Sequence, residues 1–267
     1  MQSIRDLFLN GRLNEATNLR NSLLRQKNPE IYSKIQSKRD KLFEQSNHHN
    51  FIELLNSVKD DISFEVTTEW RIKSVASILD SLNSKDSNEE SIDRIRDLLG
   101  YRFWINCNNF SEFPERMITI TSLILTNIQD FYEIDYIRLS DFTDHPYQRL
   151  AIHLRIDRVH VEILVMNKMF QSTFNRTIYP MWEGHTKGRF DTTNIPFPFS
   201  ESEIDDLWGI ICHALQNESS ILPFSNPICG CNGTCVYRKQ FDEFDMQKIC
   251  ERVEKISNEN GGDFVFG

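Results

Sequence analysis

Nowhere in its 267 positions does the chain hold an apolar run of about 18 residues, the length a helix needs to cross a bilayer core. No membrane-spanning segment is expected. Its opening stretch, MQSIRDLFLNGRLNEATNLR, is interrupted by charge every few positions, so no secretory leader is expected and the expected compartment is the cytoplasm. Glycine (10) and proline (8) are scarce, which excludes collagen-like and linker-like sequence, and there are no internal repeats. Six cysteines are few for this length, and they are not spaced like a secreted disulfide framework, in keeping with a reducing compartment. Basic charge does not dominate either: 39 acidic against 30 basic side chains leave a net charge of −9, which argues against a uniformly basic surface and against DNA as a partner.

What is present is a core. Hydrophobic residues make up 39% of the chain and aromatics 11%, with 19 Phe, which excludes intrinsic disorder. The length suits one large domain or two modest ones, with no need of a metal or disulfide staple for folding. The charge is uneven. Residues 201–267 hold 12 acidic and 5 basic residues, whereas residues 1–50 hold 9 basic and 5 acidic. The argument against polyanions therefore applies to the tail, and the N-terminal segment stays compatible with an RNA acceptor.

Residues 1–60 read as helices, with Ile4, Leu7, Phe8, Leu13, Ala16, Leu19 and Leu23 at three- and four-residue spacing and Ile31, Ile35, Leu42 and Phe43 continuing the pattern. They are expected to cap a later core. The spacing of Trp70, Ile72, Val75, Ile78, Leu79 and Leu82 predicts a further helix. After the polar loop SKDSNEES, IDRIRDLL predicts another, closed by Gly100. At YRFWIN the period changes to two, which predicts a strand with Tyr101, Phe103 and Ile105 on one face. A helix over about 111–129 is followed by the extended segment FYEIDYIRL and then by QRLAIHLRI and VHVEILV, two strands separated by Asp157 and Arg158 and so an antiparallel hairpin. Its alternation puts Leu150, Ile152, Leu154, Ile156, Val159, Val161, Ile163 and Val165 on one side and leaves His160 and Glu162 on the other. Helices over 167–180, 202–217 and 242–257 complete the pattern. The fold class is α+β, a mixed sheet flanked by helices.

Two carboxylates stand out. Glu162 sits in mid-strand on the polar side, where solvent exposure is the ordinary explanation and a chemical role the other. Asp97, one turn before an expected helix end, opposes the macrodipole and is better explained by a bound cation. Two carboxylates from separate elements of one sheet suit Mg²⁺-dependent phosphoryl or pyrophosphoryl transfer. Arg71, Lys73 and Ser74 in RIKSVASIL lie close together, either as a phosphate clamp of two cations and a hydroxyl or as an exposed basic face. Tyr147, just before a strand, is placed either to stack on a base or to pack.

In chain order these pieces form a series, RIKSVASIL, IDRIRDLLGYRFWI, IDYIRLSDFTDHPYQRLAIHL, VHVEILV and MFQSTFNRTIYPMWEGHTKGR. The series resembles the synthetase domain of the RelA/SpoT family of alarmone synthetases over roughly residues 60–190. Arg71, Lys73, Ser74, Ser77, Ile78 and Leu79 match the family's ATP-phosphate segment R-x-K-S-x-x-S-I-L. Asp97, Gly100 and Arg102 match D-x-x-G-x-R-I, whose aspartate is a Mg²⁺ ligand, with Phe103 in place of the aliphatic residue. Asp135, Tyr136 and Ile137 match D-Y-I. Tyr147, Gln148 and Leu150 match the segment whose tyrosine meets the acceptor's guanine ring. Glu162 matches the acidic residue of V-E-I-Q-I-R-T, which binds Mg²⁺ or activates the acceptor hydroxyl. Glu183, Gly184, His185 and Lys187 echo the closing motif. Departures cluster on the acceptor side. Leu164 and Met166 replace Gln and Arg, His145 and Pro146 replace Asn-Gly, Arg149 and Ala151 replace Ser and His, and RLSDFTDH replaces a lysine-containing loop.

The resemblance implies a nucleotidyltransferase-like, mainly antiparallel sheet over 61–200, between a helical extension at 1–60 and an acidic, cysteine-bearing helical extension at 201–267. It implies a small stand-alone pyrophosphokinase, with Arg71, Lys73, Ser74 and Arg102 on ATP and Tyr147, Gln148, Arg138, His185 and Lys187 on the acceptor. Mg²⁺ would sit between Asp97, Glu162 and the ATP phosphates. The expected acceptor is GDP or GTP. Its alternatives are an adenine nucleotide or the 3′ end of tRNA, as in toxic synthetases held by an antitoxin, or no transfer at all in a nucleotide-sensing module, and a homo-oligomer is compatible with each. Cys229, Cys231 and Cys235 in C-x-C-x-x-x-C, with Cys250 downstream, are either the thiolates of a structural Zn²⁺ or loop cysteines with no ligand role; the spacing is not the common paired form.

Overall fold

A computed structural model describes residues 13–83, 89–107, 112–140, 149–168 and 243–266. Three helices open the described chain: α1 (Leu13–Lys27), α2 (Pro29–Glu44) and α3 (His48–Asp60). Pro29 begins α2, where its missing N–H would have had no helical partner. Next come β1 (Val66–Ile72), α4 (Val75–Asn83), a short 3₁₀ segment (Glu89–Arg94) and β2 (Leu99–Ile105). The rest is α5 (Phe113–Ile128), β3 (Glu133–Ser140), β4 (Arg149–Ile156), β5 (Val159–Asn167), α6 (Glu243–Glu259) and β6 (Asp263–Phe266).

The strands form one six-stranded sheet in the order β1-β2-β5-β4-β3-β6. Pairs β1/β2, β5/β4 and β4/β3 are antiparallel, whereas β2/β5 and β3/β6 are parallel. The α+β class and mixed sheet follow directly. The β4–β5 hairpin turns on Asp157, whose φ of 54° is the left-handed value a two-residue turn demands. Its carboxylate accepts a hydrogen bond from the Asn47 backbone N–H at 3.2 Å, which ties the turn to the start of α3. At the α6–β6 turn Gly261 has φ of 74°, and a Cβ on Gly262 would come within 2.9 Å of Ile134, so this turn needs both glycines.

One face of the sheet is apolar. Tyr101, Phe103 and Ile105 of β2, Val161, Ile163 and Val165 of β5, and Ile152 and Leu154 of β4 are all fully buried. Each such side chain contributes about 1.5–3 kcal/mol by leaving water. Helix α5 packs on β2 and β5, α3 on β1 and α5, and α6 on β3 and α5. Helices α1 and α2 pack on each other and on α4. Between α1 and α4 the Arg20 guanidinium meets the Asp80 carboxylate at 3.1 Å with both side chains buried.

Three local expectations need correction. Trp70 and Ile72 lie in strand β1, not in a helix, because VTTEWRI pairs residue by residue with β2. Gly100 lies within β2 and caps no helix. The expected helix over IDRIRDLL is a short 3₁₀ stretch, kinked at Ser91 and ending at Arg94, and residues 95–98 form a turn that drops Leu98 into the core.

His48 shows how burial tunes a titration here. It opens α3 with its ring edge-on to Phe43 at 5.0 Å and its Nδ1 3.0 Å from the Ser46 hydroxyl. Burial, then the neighbouring His49, holds its pKa below the ordinary value. Because the folded value is depressed, the associated stability is fully present above the unfolded value, about 6.5, and is lost as pH falls through the folded one. Unfolding free energy measured from pH 7 to 5 is therefore expected to fall less steeply in His48→Gln than in the parent; equal slopes would contradict this.

Candidate functional site

The other sheet face mixes buried Trp104, Ala151, Leu164 and Met166 with a set of polar residues, and the strand register lines those polar residues up. Arg71 of β1 pairs with Gly100 of β2, Gly100 with Glu162 of β5, Glu162 with His153 of β4, and His153 with Tyr136 of β3. Directly paired residues share a face, so these five positions form one row across the sheet. Gly100 has no side chain to interrupt it. A Cβ there would lie 3.6 Å from Arg71 Cγ, which shows that the arginine stem runs over the glycine.

Just beyond the row, β1 and β2 remain joined where the Lys73 N–H bonds the Leu98 carbonyl at 2.8 Å. That contact sets Lys73 and Asp97 against each other, and the ammonium lies 2.5 Å from both carboxylate oxygens. Asp97 is thus in a turn, not at a helix end. The expected macrodipole conflict does not exist, and the aspartate is balanced by Lys73. Ser74 is the first residue before α4. Its hydroxyl accepts the Ser77 N–H at 3.2 Å and lies 3.1 Å from the Ser77 hydroxyl, which makes it the helix cap. Arg71 closes a strand, so the basic pair and the serine straddle a strand-to-helix turn instead of lying along one helix face.

Arg102 sits one pleat along from Gly100, where it meets Glu69 directly across β1 at 2.8 Å. Arg138, opposite Ala151 on β3, is on the same sheet face as Tyr136. Glu162 is one-fifth exposed, with Oε1 3.8 Å from His153 Nε2. The buried His153 ring stacks on Tyr136 with centroids 4.3 Å apart and planes 19° apart. Arg96 donates to the Tyr136 hydroxyl at 3.3 Å and lies over its ring. One strand end further, an irregularity between Ile134 and Tyr136 lets Asp135 reach Arg155 at 3.2 Å and His160 at 3.4 Å. Burial lowers the His160 pKa, with Asp135 working against the shift.

Register therefore gathers Arg71, Gly100 and Glu162 into one row, with Lys73 and Asp97 at the adjoining end of β1 and β2. Tyr147, Gln148, His185 and Lys187 lie outside the described residues, as do Cys229, Cys231 and Cys235. Cys250 lies half-buried on α6, packed against the core. Among the described residues no group of three or more His, Cys, Asp or Glu is assembled, and no helix is long and apolar enough to cross a membrane. Asp97 and Glu162 offer hard oxygen donors, and Asp97 already turns both of its oxygens to a cation. That donor set fits Mg²⁺, which binds through one or two carboxylates together with substrate phosphates. Sequence reasoning missed His153, Glu69 and Arg96. His153 was within reach, because it and Glu162 each stand four residues from the two-residue turn and must pair across it.

No protein-family model matches the chain, and no curated protein matches it. Among solved structures it is similar to the small alarmone synthetase 1 from Bacillus subtilis, at 15% identity over 84% of this chain and 95% of that one, with a TM-score of 0.39. The same synthetase bound to its product pppGpp matches at 17% identity over 72% and 88%, with a TM-score of 0.38. A GTP pyrophosphokinase family protein from Streptococcus pneumoniae matches at 14% identity over 83% and 96%, with a TM-score of 0.42.

Proposed function

We propose that this chain is a pyrophosphokinase that transfers the β,γ-pyrophosphate of ATP to the 3′-hydroxyl of a guanosine nucleotide, giving a (p)ppGpp-type product. The observation that carries this reading is the row in which Arg71 and Glu162 flank the bare Gly100, with Lys73 and Asp97 at its β1 end. Cations for phosphate and a carboxylate for a hydroxyl proton thus share one polar surface, in the order that the sequence resemblance implies.

In this reading Arg71 and Lys73 hold the ATP phosphates, the arginine through its planar fork and the lysine as a point charge. Lys73 exchanges part of its contact with Asp97 for a phosphate oxygen. Glu162 accepts the proton of the ribose 3′-hydroxyl as that oxygen attacks the β-phosphorus. The new oxygen–phosphorus bond forms, the bond from the β-phosphorus to the bridging oxygen of the α-phosphate breaks, and AMP leaves with the electron pair. Mg²⁺, held by Asp97 with Glu162 alongside, would offset the charge of the phosphate oxygens. Tyr147, Gln148, Arg138, His185 and Lys187 are assigned to the acceptor by resemblance.

A second reading, transfer to an adenine nucleotide or to the tRNA 3′ end, is favoured by the basic excess in residues 1–50. The test is to incubate the chain with γ-labelled ATP and, in turn, GDP, GTP, ADP and deacylated tRNA. Label is expected in the guanosine nucleotides. Label in tRNA that is lost when Lys34, Lys38 and Lys41 of α2 are neutralised would establish the second reading instead. No label in any acceptor would leave a nucleotide-sensing module.

A further inference from the structure

Glutamate has three rotatable bonds, and its strand backbone alone does not fix where its carboxylate points. A base that must meet one hydroxyl proton needs that direction set. The only described side chain directly across the sheet from Glu162 on β4 is His153, and its own position is tightly defined. The ring is buried, lies in a central strand and stacks face to face on Tyr136, which Arg96 holds by its hydroxyl. From that clamp Nε2 faces Glu162 Oε1 at 3.8 Å. This is too long for a hydrogen bond, yet a small rotation of the glutamate closes it, and catalytic contacts commonly tighten only when substrate is present.

We propose that His153 is a positioning residue for Glu162: the imidazole, immobilised between Tyr136 and the sheet, donates from Nε2 to Oε1 and aims the other carboxylate oxygen at the acceptor hydroxyl. The inference rests on the pyrophosphokinase reading for its catalytic consequence, but not for the contact itself. His153 touches no reacting atom. Its alternative is to pack as a buried ring with no bearing on the carboxylate.

The two roles separate in one set of variants. His153→Ala is expected to lower kcat about 10²-fold, the scale of a misplacement near 1 Å, with KM for ATP unchanged within twofold. His153→Gln, which returns an N–H donor without the ring, is expected to recover at least tenfold of the loss, and melting temperatures report whether either variant is merely unfolded. A packing role predicts the reverse: both variants lose stability, and Gln recovers no activity. As a measurement independent of turnover, the Nε2 resonance of ¹⁵N-labelled His153 is expected to shift on Glu162→Gln. A kcat for His153→Ala within threefold of the parent, or failure of Gln to rescue a folded variant, overturns the proposal. If the parent transfers pyrophosphate to no acceptor, the functional reading fails, and the resonance alone decides: an unchanged signal in Glu162→Gln overturns the contact.

Discussion

Glu162→Gln is expected to lower kcat for pyrophosphate transfer by about 10²–10⁴-fold, the usual worth of a general base, while the melting temperature stays close to that of the parent. The substitution keeps the shape of the side chain and removes its negative charge, and with it the ability to take a proton or to support Mg²⁺. Little stability is at stake, because His153, which faces the carboxylate, is 3.8 Å away and the residue is one-fifth exposed. Binding of ATP should persist, since the cations Arg71 and Lys73 are untouched. The measurement is AMP release with the preferred acceptor, alongside a thermal melt. A variant that turns over within a few-fold of the parent would remove Glu162 from the chemistry.

The second large effect is on stability and lies in the N-terminal helices. Arg20→Ala is expected to lower the unfolding free energy by about 3–5 kcal/mol, because it takes the guanidinium away from the buried Asp80 carboxylate. The side chains are 6% and 2% exposed, so water cannot replace the lost partner. Removing both, as Arg20→Met with Asp80→Leu, is expected to recover most of the loss, since a buried pair gains little over well-packed apolar residues. The effect should also reach the site. Beside Arg20, Asn21 Oδ1 accepts the Ala76 N–H at 3.0 Å, so α1 helps to cap the helix that follows Lys73 and Ser74. A raised KM for ATP is therefore expected with the lowered stability, both read on the same protein by denaturant titration and steady-state kinetics. An unfolding free energy unchanged within about 1 kcal/mol would show that α1 is not docked on α4 through this pair.

The same contacts explain what the sequence makes visible. The β4–β5 hairpin is legible because its two faces differ at every position and a two-residue connection fixes the register without reference to the rest of the chain. Helix α5 is legible from its Ile and Leu spacing. Strand β1 is misread because Trp70, Ile72 and Val75 imitate helical spacing, although the alternation of Val66, Thr68, Trp70 and Ile72 in a β-branched stretch is a competing strand signal. Gly100 imitates a helix end for a similar reason: it follows an apolar-rich segment, and its real place depends on pairing with strands on both sides. Strand β6 has four residues and gains its order from β3, far away in sequence, so no local pattern announces it.

For the site, the residue types are legible but not their arrangement. Asp97 and Glu162 are picked out by chemistry and resemblance, yet the row joining Arg71, Gly100 and Glu162 exists only because β2 and β5 run parallel across a long connection. The Lys73–Asp97 pair likewise follows from the antiparallel register of β1 and β2, which requires β1 to be a strand.

The central claim is that an intact pyrophosphoryl group moves, and the nucleotide left behind by ATP tests it most directly. With a guanosine acceptor the chain is expected to release one AMP for each 3′-pyrophosphorylated product, and Asp97→Asn combined with Glu162→Gln is expected to release none. Formation of ADP in place of AMP, or undiminished AMP and product from the double variant, would contradict it.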